Sequence, residues 1–260
     1  MGHEVELKLE VPAKTIGTLK RMRALRRNGH ARDKDLVSIY FDTAKHKLRK
    51  HGMSLRVRHI GQARVQTVKA NGQSAAGLFE RREWEAPIAS DTPDLRATRH
   101  TALDHLNGKK LAHGLKPVFE TRVHRTVVPL RRNGSHIELT LDQGQVRLGR
   151  KSAPISEVEL ELKRGHAADL FAVARDLTGR VPARLAVRSK ADRGYALVDD
   201  QPIAAVRQHA IILDPRMSAG EAFRAIALGC LHHAAANESA VRERDAEGVC
   251  VIAQRTKTVG

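Results

Sequence analysis

The chain has 260 residues, 41% of them hydrophobic, enough to bury a large core and too apolar for a disordered protein. No apolar run approaches the ~18 residues of a membrane span, and Cys230 and Cys250 form neither a disulfide framework nor a metal-type spacing, so a reduced, cytoplasmic protein is expected. A formal charge of +17 with 3% aromatic residues points to a polyanion held through phosphate, not stacked bases, and disfavours a nucleic-acid binder.

The chain opens on a strand, HEVELKLEV (3–11), in which charged and apolar residues alternate. After Pro12, AKTIGTLKRMRAL (13–25) reads as a helix. VSIYFDT (37–43), MSLRVRHI (53–60), RVQTVKA (64–70) and FERREWEAP (79–87) read as strands, with a hairpin turn at NGQ (71–73). RATRHTALDHLNG (96–108) reads as a helix ending near Gly108. VFETRVHRTVV (118–128), HIELTLDQG (136–144) and ISEVELELK (155–163) are further strands, with turns at RRNGS (131–135) and DQGQ (142–145). AADLFAVARDLTG (167–179) carries a helical stripe of Leu170, Phe171, Ala174 and Leu177. Residues 201–216 read as a linker, and a final helix over 217–239 starts with Ser218 and Glu221 in capping-box spacing.

Successive strand side chains face opposite ways, so each strand sorts its charges onto one face. Glu4, Glu6 and Lys8 share a face, as do Arg56 and Arg58, Thr67 and Lys69, Glu83 and Glu85, Glu138 and Asp142, and Glu157, Glu159, Glu161 and Lys163. The other face holds Val5, Leu7 and Leu9, Leu55 and Val57, Leu139 and Leu141, and Val158, Leu160 and Leu162. A half-buried antiparallel sheet explains any one strand. Over the whole set, segregated acidic and basic strands would repel across a solvent face. A closed barrel resolves this: the charged faces line a tunnel and the apolar faces pack under the helices. Clustered carboxylates suit Mg²⁺ or Mn²⁺, and clustered Arg and Lys suit phosphate.

These residues resemble the CYTH superfamily, the triphosphate tunnel metalloenzymes. The hallmark E-x-E-x-K stands as Glu4-Val5-Glu6-Leu7-Lys8, followed in family order by YFDT (40–43), SLRVR (54–58), TVK (67–69), RREWE (81–85), IELTLDQG (137–144), SEVELELK (156–163) and SKADRGY (189–195). The resemblance implies an α+β fold, an eight-stranded antiparallel tunnel over residues 1–200 with helices outside. It implies that Lys8, Arg56, Arg58, Lys69, Arg125 and Lys190 bind phosphate. Glu4, Glu6, Glu83, Glu85, Asp142, Glu157 and Glu159 would form the acid wall that holds Mg²⁺ or Mn²⁺, with Lys8, Glu4 and Glu6 at the catalytic centre. Glu138 and Glu161 share the parity of that wall. Arg122 and Arg125 differ in parity, and the family pattern selects Arg125.

The expected activity is metal-dependent hydrolysis of inorganic triphosphate or short polyphosphate, releasing orthophosphate. A polyphosphate-binding module without turnover, or an adenylate cyclase of the same fold, are the alternatives. Residues 217–260 are similar to the first helices of a CHAD domain, a module associated with polyphosphate, and are too few for a complete one. This segment is expected to dock on the barrel, pair with a second copy in a homodimer, or be disordered.

Overall fold

The computed structural model describes residues 2–26, 30–75, 77–106, 111, 114–200, 207 and 210–242. Eight antiparallel strands close on themselves: β1 (Gly2–Glu10), β2 (Arg32–Thr43), β3 (Met53–Ile60), β4 (Ala63–Ala75), β5 (Leu78–Pro87), β6 (Leu115–Arg132), β7 (Ser135–Leu148) and β8 (Lys151–Arg164). Their order is β5-β4-β3-β2-β6-β7-β8-β1, and a β1–β5 pairing completes the circuit. The two-residue β9 (Arg184–Leu185) adds to β1. Closure leaves the barrel strands no free edge, and the expected eight-stranded tunnel with outer helices is borne out.

Register decides which face is inside. Lys8 lies opposite Glu159 and Glu6 opposite Glu161 across β1 and β8, and Arg125 lies opposite Asp142 across β6 and β7. The charged parity therefore points into the barrel. The apolar parity points out, where Leu7, Leu9, Leu139, Leu141, Val158 and Leu160 form one cluster with Ile16 and Leu19 of α1 (Ala13–Arg21). Leu170, Val173, Ala174 and Leu177 of α4 (Ala167–Thr178) complete it at i, i+3, i+4 and i+7 spacing. Each buried Leu, Ile or Val among these contributes about 1.5–3 kcal/mol relative to exposure. A second outer cluster joins Leu55, Val57 and Val68 to Leu48 of α3 (Lys47–Lys50) and to a 3-10 helix, Ala102–Leu106. The helix expected over 13–25 breaks at Met22, whose backbone is extended, and resumes as α2 (Arg23–Arg26).

A third cluster fills one end of the barrel from within. Tyr40, Phe119, Val123, Val146 and Ile155 face inward and meet Tyr195 of α5 (Lys190–Asp199). Ser189 and Asp192 cap this helix reciprocally: Asp192 N–H donates to Ser189 Oγ (3.1 Å), and Ser189 N–H donates to Asp192 Oδ2 (2.8 Å).

Three local expectations are corrected. No α-helix forms over 96–106; turns lead to the 3-10 helix, because the Thr98 and Thr101 hydroxyls bond back to the carbonyls of Leu95 and Thr98 and His100 takes φ 64°. NGQ (71–73) is a register irregularity inside β4, not its end. DQGQ (142–145) runs straight through β7; a Cβ on Gly144 would lie 2.0 Å from the Arg122 carbonyl oxygen, so the glycine admits a close approach of β6. RRNGS does turn, with Asn133 and Gly134 both at positive φ, as a two-residue hairpin requires.

The chain separates into two compact units, Met1–Asp199 and Asp200–Gly260. The described part of the second is dominated by α6 (Ala219–Arg242), whose start is capped by Ser218 and Glu221. Half of the expected linker and the tail beyond residue 242 lie outside the described residues. Among the described residues no helix is long and apolar enough to cross a membrane.

Candidate functional site

The barrel encloses a cavity of about 280 Å³ lined by seven carboxylates and nine cationic side chains. They are divided by strand. The carboxylates are Glu4 and Glu6 on β1, Glu83 and Glu85 on β5, Glu138 on β7, and Glu159 and Glu161 on β8, and these four strands are neighbours. Lys69 on β4, Arg56 and Arg58 on β3, Lys34 on β2 and Arg125 on β6 line the opposite half. Lys8, Arg81 and Lys163 are cations within the acid half, and Lys190 enters from α5.

Two ion networks hold the acid half. In the first, Lys69 Nζ lies 2.7 Å from Glu4 Oε1 and 3.2 Å from Glu83 Oε1, and Arg81 donates to Glu4 Oε2 (2.7 Å) and to Glu6. Burial pushes the Glu4 carboxyl up, but Lys69 and Arg81 outweigh it and hold Glu4 far below the usual carboxylate range. Glu83 is raised, by burial and by the nearby Glu4 charge, against the pull of Lys69. Burial and the Arg81 charge push the Lys69 ammonium down.

The second network surrounds Glu159. Lys8 Nζ is 2.8 Å from Glu159 Oε1 and 3.2 Å from Glu6 Oε1. Arg125 grips Asp142 with two hydrogen bonds of 2.7 and 2.6 Å and reaches Glu159 Oε2 at 2.6 Å. Lys190 Nζ sits on Asp142 (2.7 Å), Glu159 (2.9 Å) and Glu157. Burial raises the Asp142 and Glu159 carboxyls, and the surrounding cations, Lys190 foremost, overcome this and depress both. Lys190 itself is raised above the usual lysine range because these three carboxylates outweigh its burial.

Arg58 stands apart. Its Nε donates to Ser38 Oγ (3.1 Å), and among the described residues no carboxylate lies within ion-pair distance of it. Burial, then the charges of Arg56 and Arg125, push its guanidinium down to about 9. A half-buried cation with no carboxylate paired to it is the group an entering anion relieves most. Arg56 lies against the Tyr40 phenol, and its carboxylate contacts are long, 3.6 Å to Glu83 and 3.9 Å to Glu85.

All the residues named from sequence for the phosphate set face this interior. The acid set divides: Glu4, Glu6, Glu83, Glu85 and Glu159 line the cavity, whereas Asp142 and Glu157 are fully buried behind the cations. Asp142, Glu157 and Glu159 place carboxylate oxygens within 4.8 Å of one another, the spacing of a hard-cation site, and the Lys190 ammonium bonds to all three. Arg125 points inward; Arg122 points outward and pairs with Glu120.

Sequence reasoning passed over Arg81, Lys34, Tyr40 and Arg193. Arg81 shares the parity of Glu83 and Glu85 and was legible on that ground. Arg193 lies one helical turn beyond Lys190 and bonds Glu10 and Glu157. Tyr40 carries a phenol that burial pushes up and that Arg56 and Arg58 pull down further.

The comparisons with known proteins agree with this geometry. An inorganic triphosphatase from Haemophilus influenzae is 35% identical over 168 residues, which cover 64% of this chain and 47% of that protein. The chain thus spans about half the length of the curated relative it matches. A solved structure from Hippeastrum, described as a putative adenylyl cyclase with dominant triphosphatase activity, superposes with a TM-score of 0.58 at 17% identity, over 76% of this chain and 97% of that one. At that identity the likeness concerns the fold alone. The CYTH domain family matches residues 2–195, the span that contains the whole barrel and the first residues of α5. With its E-x-E-x-K strand, its closed barrel and its two charged walls inside that span, the chain belongs to the CYTH family.

Proposed function

We propose that this protein is a divalent-metal-dependent triphosphatase that hydrolyses inorganic triphosphate or short polyphosphate to orthophosphate. The observation that carries the reading is the charge census of the cavity. Nine cations and seven carboxylates line it, and Asp142 and Glu157, bonded to Arg125 and Lys190 from behind, bring the acids to nine, so no surplus of positive charge is left to neutralise a triphosphate. When phosphate oxygens draw Arg58, Arg56, Lys69, Arg125, Lys8 and Lys190 to themselves, the carboxylates now paired with these groups lose their partners. Added positive charge is then required, and a hard dication suits an all-carboxylate donor set.

Glu4, Glu6, Glu83, Glu85 and Glu159 would hold that ion, Mg²⁺ or Mn²⁺, which supplies charge neutralisation at the phosphate oxygens and a more acidic bound water. Asp142 and Glu157, also expected as ligands, are better suited to holding Arg125, Lys190 and Arg193 in place. Lys8 bridges Glu6 and Glu159 and would orient the chain at the catalytic centre between the walls. Arg58 and Arg56 would anchor it on the opposite side, where their fixed donors match phosphate oxygens. The likeness to an inorganic triphosphatase supports the substrate class. Residues 217–260 are proposed as a CHAD-like start on the strength of the capped helix α6, and the cytoplasm as the compartment.

Ion chromatography of products tests the reading. Inorganic triphosphate is expected to give orthophosphate and pyrophosphate. Cyclic AMP from ATP would identify a cyclase instead, and tight binding of triphosphate without turnover a binding module.

A further inference from the structure

One fully buried acid lies outside the chemistry above. Asp42, at the end of β2, accepts backbone N–H bonds from Thr43 (2.7 Å) and, capping α3, from Leu48 (2.8 Å) and Arg49 (3.1 Å). Its carboxylate takes a fourth bond, 2.6 Å, from the Tyr195 hydroxyl of α5. The Arg49 guanidinium lies 4.7 Å over the Tyr195 ring and pairs with Asp199 at the other end of the same helix (2.7 Å). Phe119 meets the Tyr195 ring edge-on at 5.3 Å.

α5 has ten residues, too few to be stable or to hold a direction on its own. Its first residue is Lys190, and Tyr195 follows about 7.5 Å further along the axis. The direction of the helix, and with it the place of the Lys190 ammonium over Asp142, Glu157 and Glu159, is therefore set where its later side chains meet the barrel: Arg193 on Glu10 and Glu157, and Tyr195 where it docks. Stacking and edge contacts allow the ring to slide, whereas the hydroxyl bond to a carboxylate pinned by three amides does not.

We infer that Asp42 and Tyr195 are positioning residues for Lys190: their hydrogen bond fixes α5 so that the lysine meets the phosphate chain. This rests on the proposed role of Lys190 as a phosphate ligand. Tyr195→Phe keeps the ring and its packing and removes only the hydroxyl, and Asp42 keeps its three amide donors, so the variant folds.

A double-mutant cycle tests the inference. Inorganic triphosphate is titrated calorimetrically, without divalent ion, into the full chain and its Tyr195→Phe, Lys190→Gln and doubly substituted variants, each shown by melting to be folded. KM and kcat are measured in parallel. Tyr195→Phe is expected to weaken binding about 3- to 10-fold, the loss of one hydrogen bond, and to raise KM more than it lowers kcat. The double variant is expected to bind no more weakly than Lys190→Gln. Unchanged binding in Tyr195→Phe, or losses that multiply in the double variant, would overturn the inference, since a merely structural tyrosine acts independently of the lysine. Unchanged binding in Lys190→Gln would instead remove the phosphate role of Lys190 on which it rests. If Lys190→Gln does not fold, Lys190→Arg takes its place in the cycle.

Discussion

Arg58 and Arg125 are both arginines on the basic half, and their environments set opposite expectations. Arg125 is bonded twice to Asp142, a fully buried carboxylate, so Arg125→Gln breaks a buried pair and should cost about 3 kcal/mol of stability. Arg58 has no such partner, so Arg58→Gln should leave the melting temperature unchanged or raise it while weakening triphosphate binding at least 10-fold. Calorimetry on the two variants checks both. Titration adds a further expectation. Asp142 and Glu159 have folded pKa values below their unfolded ones, so their stabilisation is present above the ordinary carboxylate range and lost as pH falls through the folded values. Glu83 and Glu161 are raised and work in the opposite sense, the folded state gaining as they take up protons. The depressed pair, in the ion network that ties α5 to the barrel, should dominate. The melting temperature should drop below about pH 4, and Asp142→Asn should flatten that drop. At this scale parity was readable from i, i+2 spacing alone. Which acids face the cavity and which are saturated by cations was not, because Lys190 and Arg193 arrive from a helix far along the chain.

Among the elements, α5 has the least tolerance for change. A Cβ on Gly194 would lie 2.1 Å from the Phe119 ring, which is itself stacked on Tyr40 at 4.7 Å and has no room to retreat. Gly194→Ala should therefore cost about 1–3 kcal/mol by overpacking and raise KM for triphosphate as α5 lifts; a thermal melt and a rate series measure the two effects. Strands were legible because their period of two is exact and their charges sharpen it. The 96–108 segment was misread because its apolar spacing fits a helix, whereas threonine hydroxyls compete for its backbone. The glycines of NGQ and DQGQ carry turn chemistry in the sequence, yet they serve close strand approach, a tertiary demand that leaves no local signal.

For the whole molecule, closure converts a one-dimensional alternation into two facing walls. β1 and β5 become neighbours of each other, and β1 of the distant β7–β8 hairpin, and the acids these strands carry are thereby gathered into one half. That gathering was legible in outline, since only a closed barrel could bury so many segregated charges; the strand order that makes the halves contiguous was not, because it rests on pairings such as β1 with β5 and β8 that leave no local signal. The balance of nine cations against nine carboxylates in and behind the cavity makes metal dependence the central claim. The most direct test is orthophosphate release from inorganic triphosphate by the wild-type chain and by Glu4→Gln/Glu6→Gln, with Mg²⁺, with Mn²⁺ and with a chelator. Release that needs the metal and is lost in the variant is the predicted result. Release that persists in chelator, or that the variant retains in full, would contradict it.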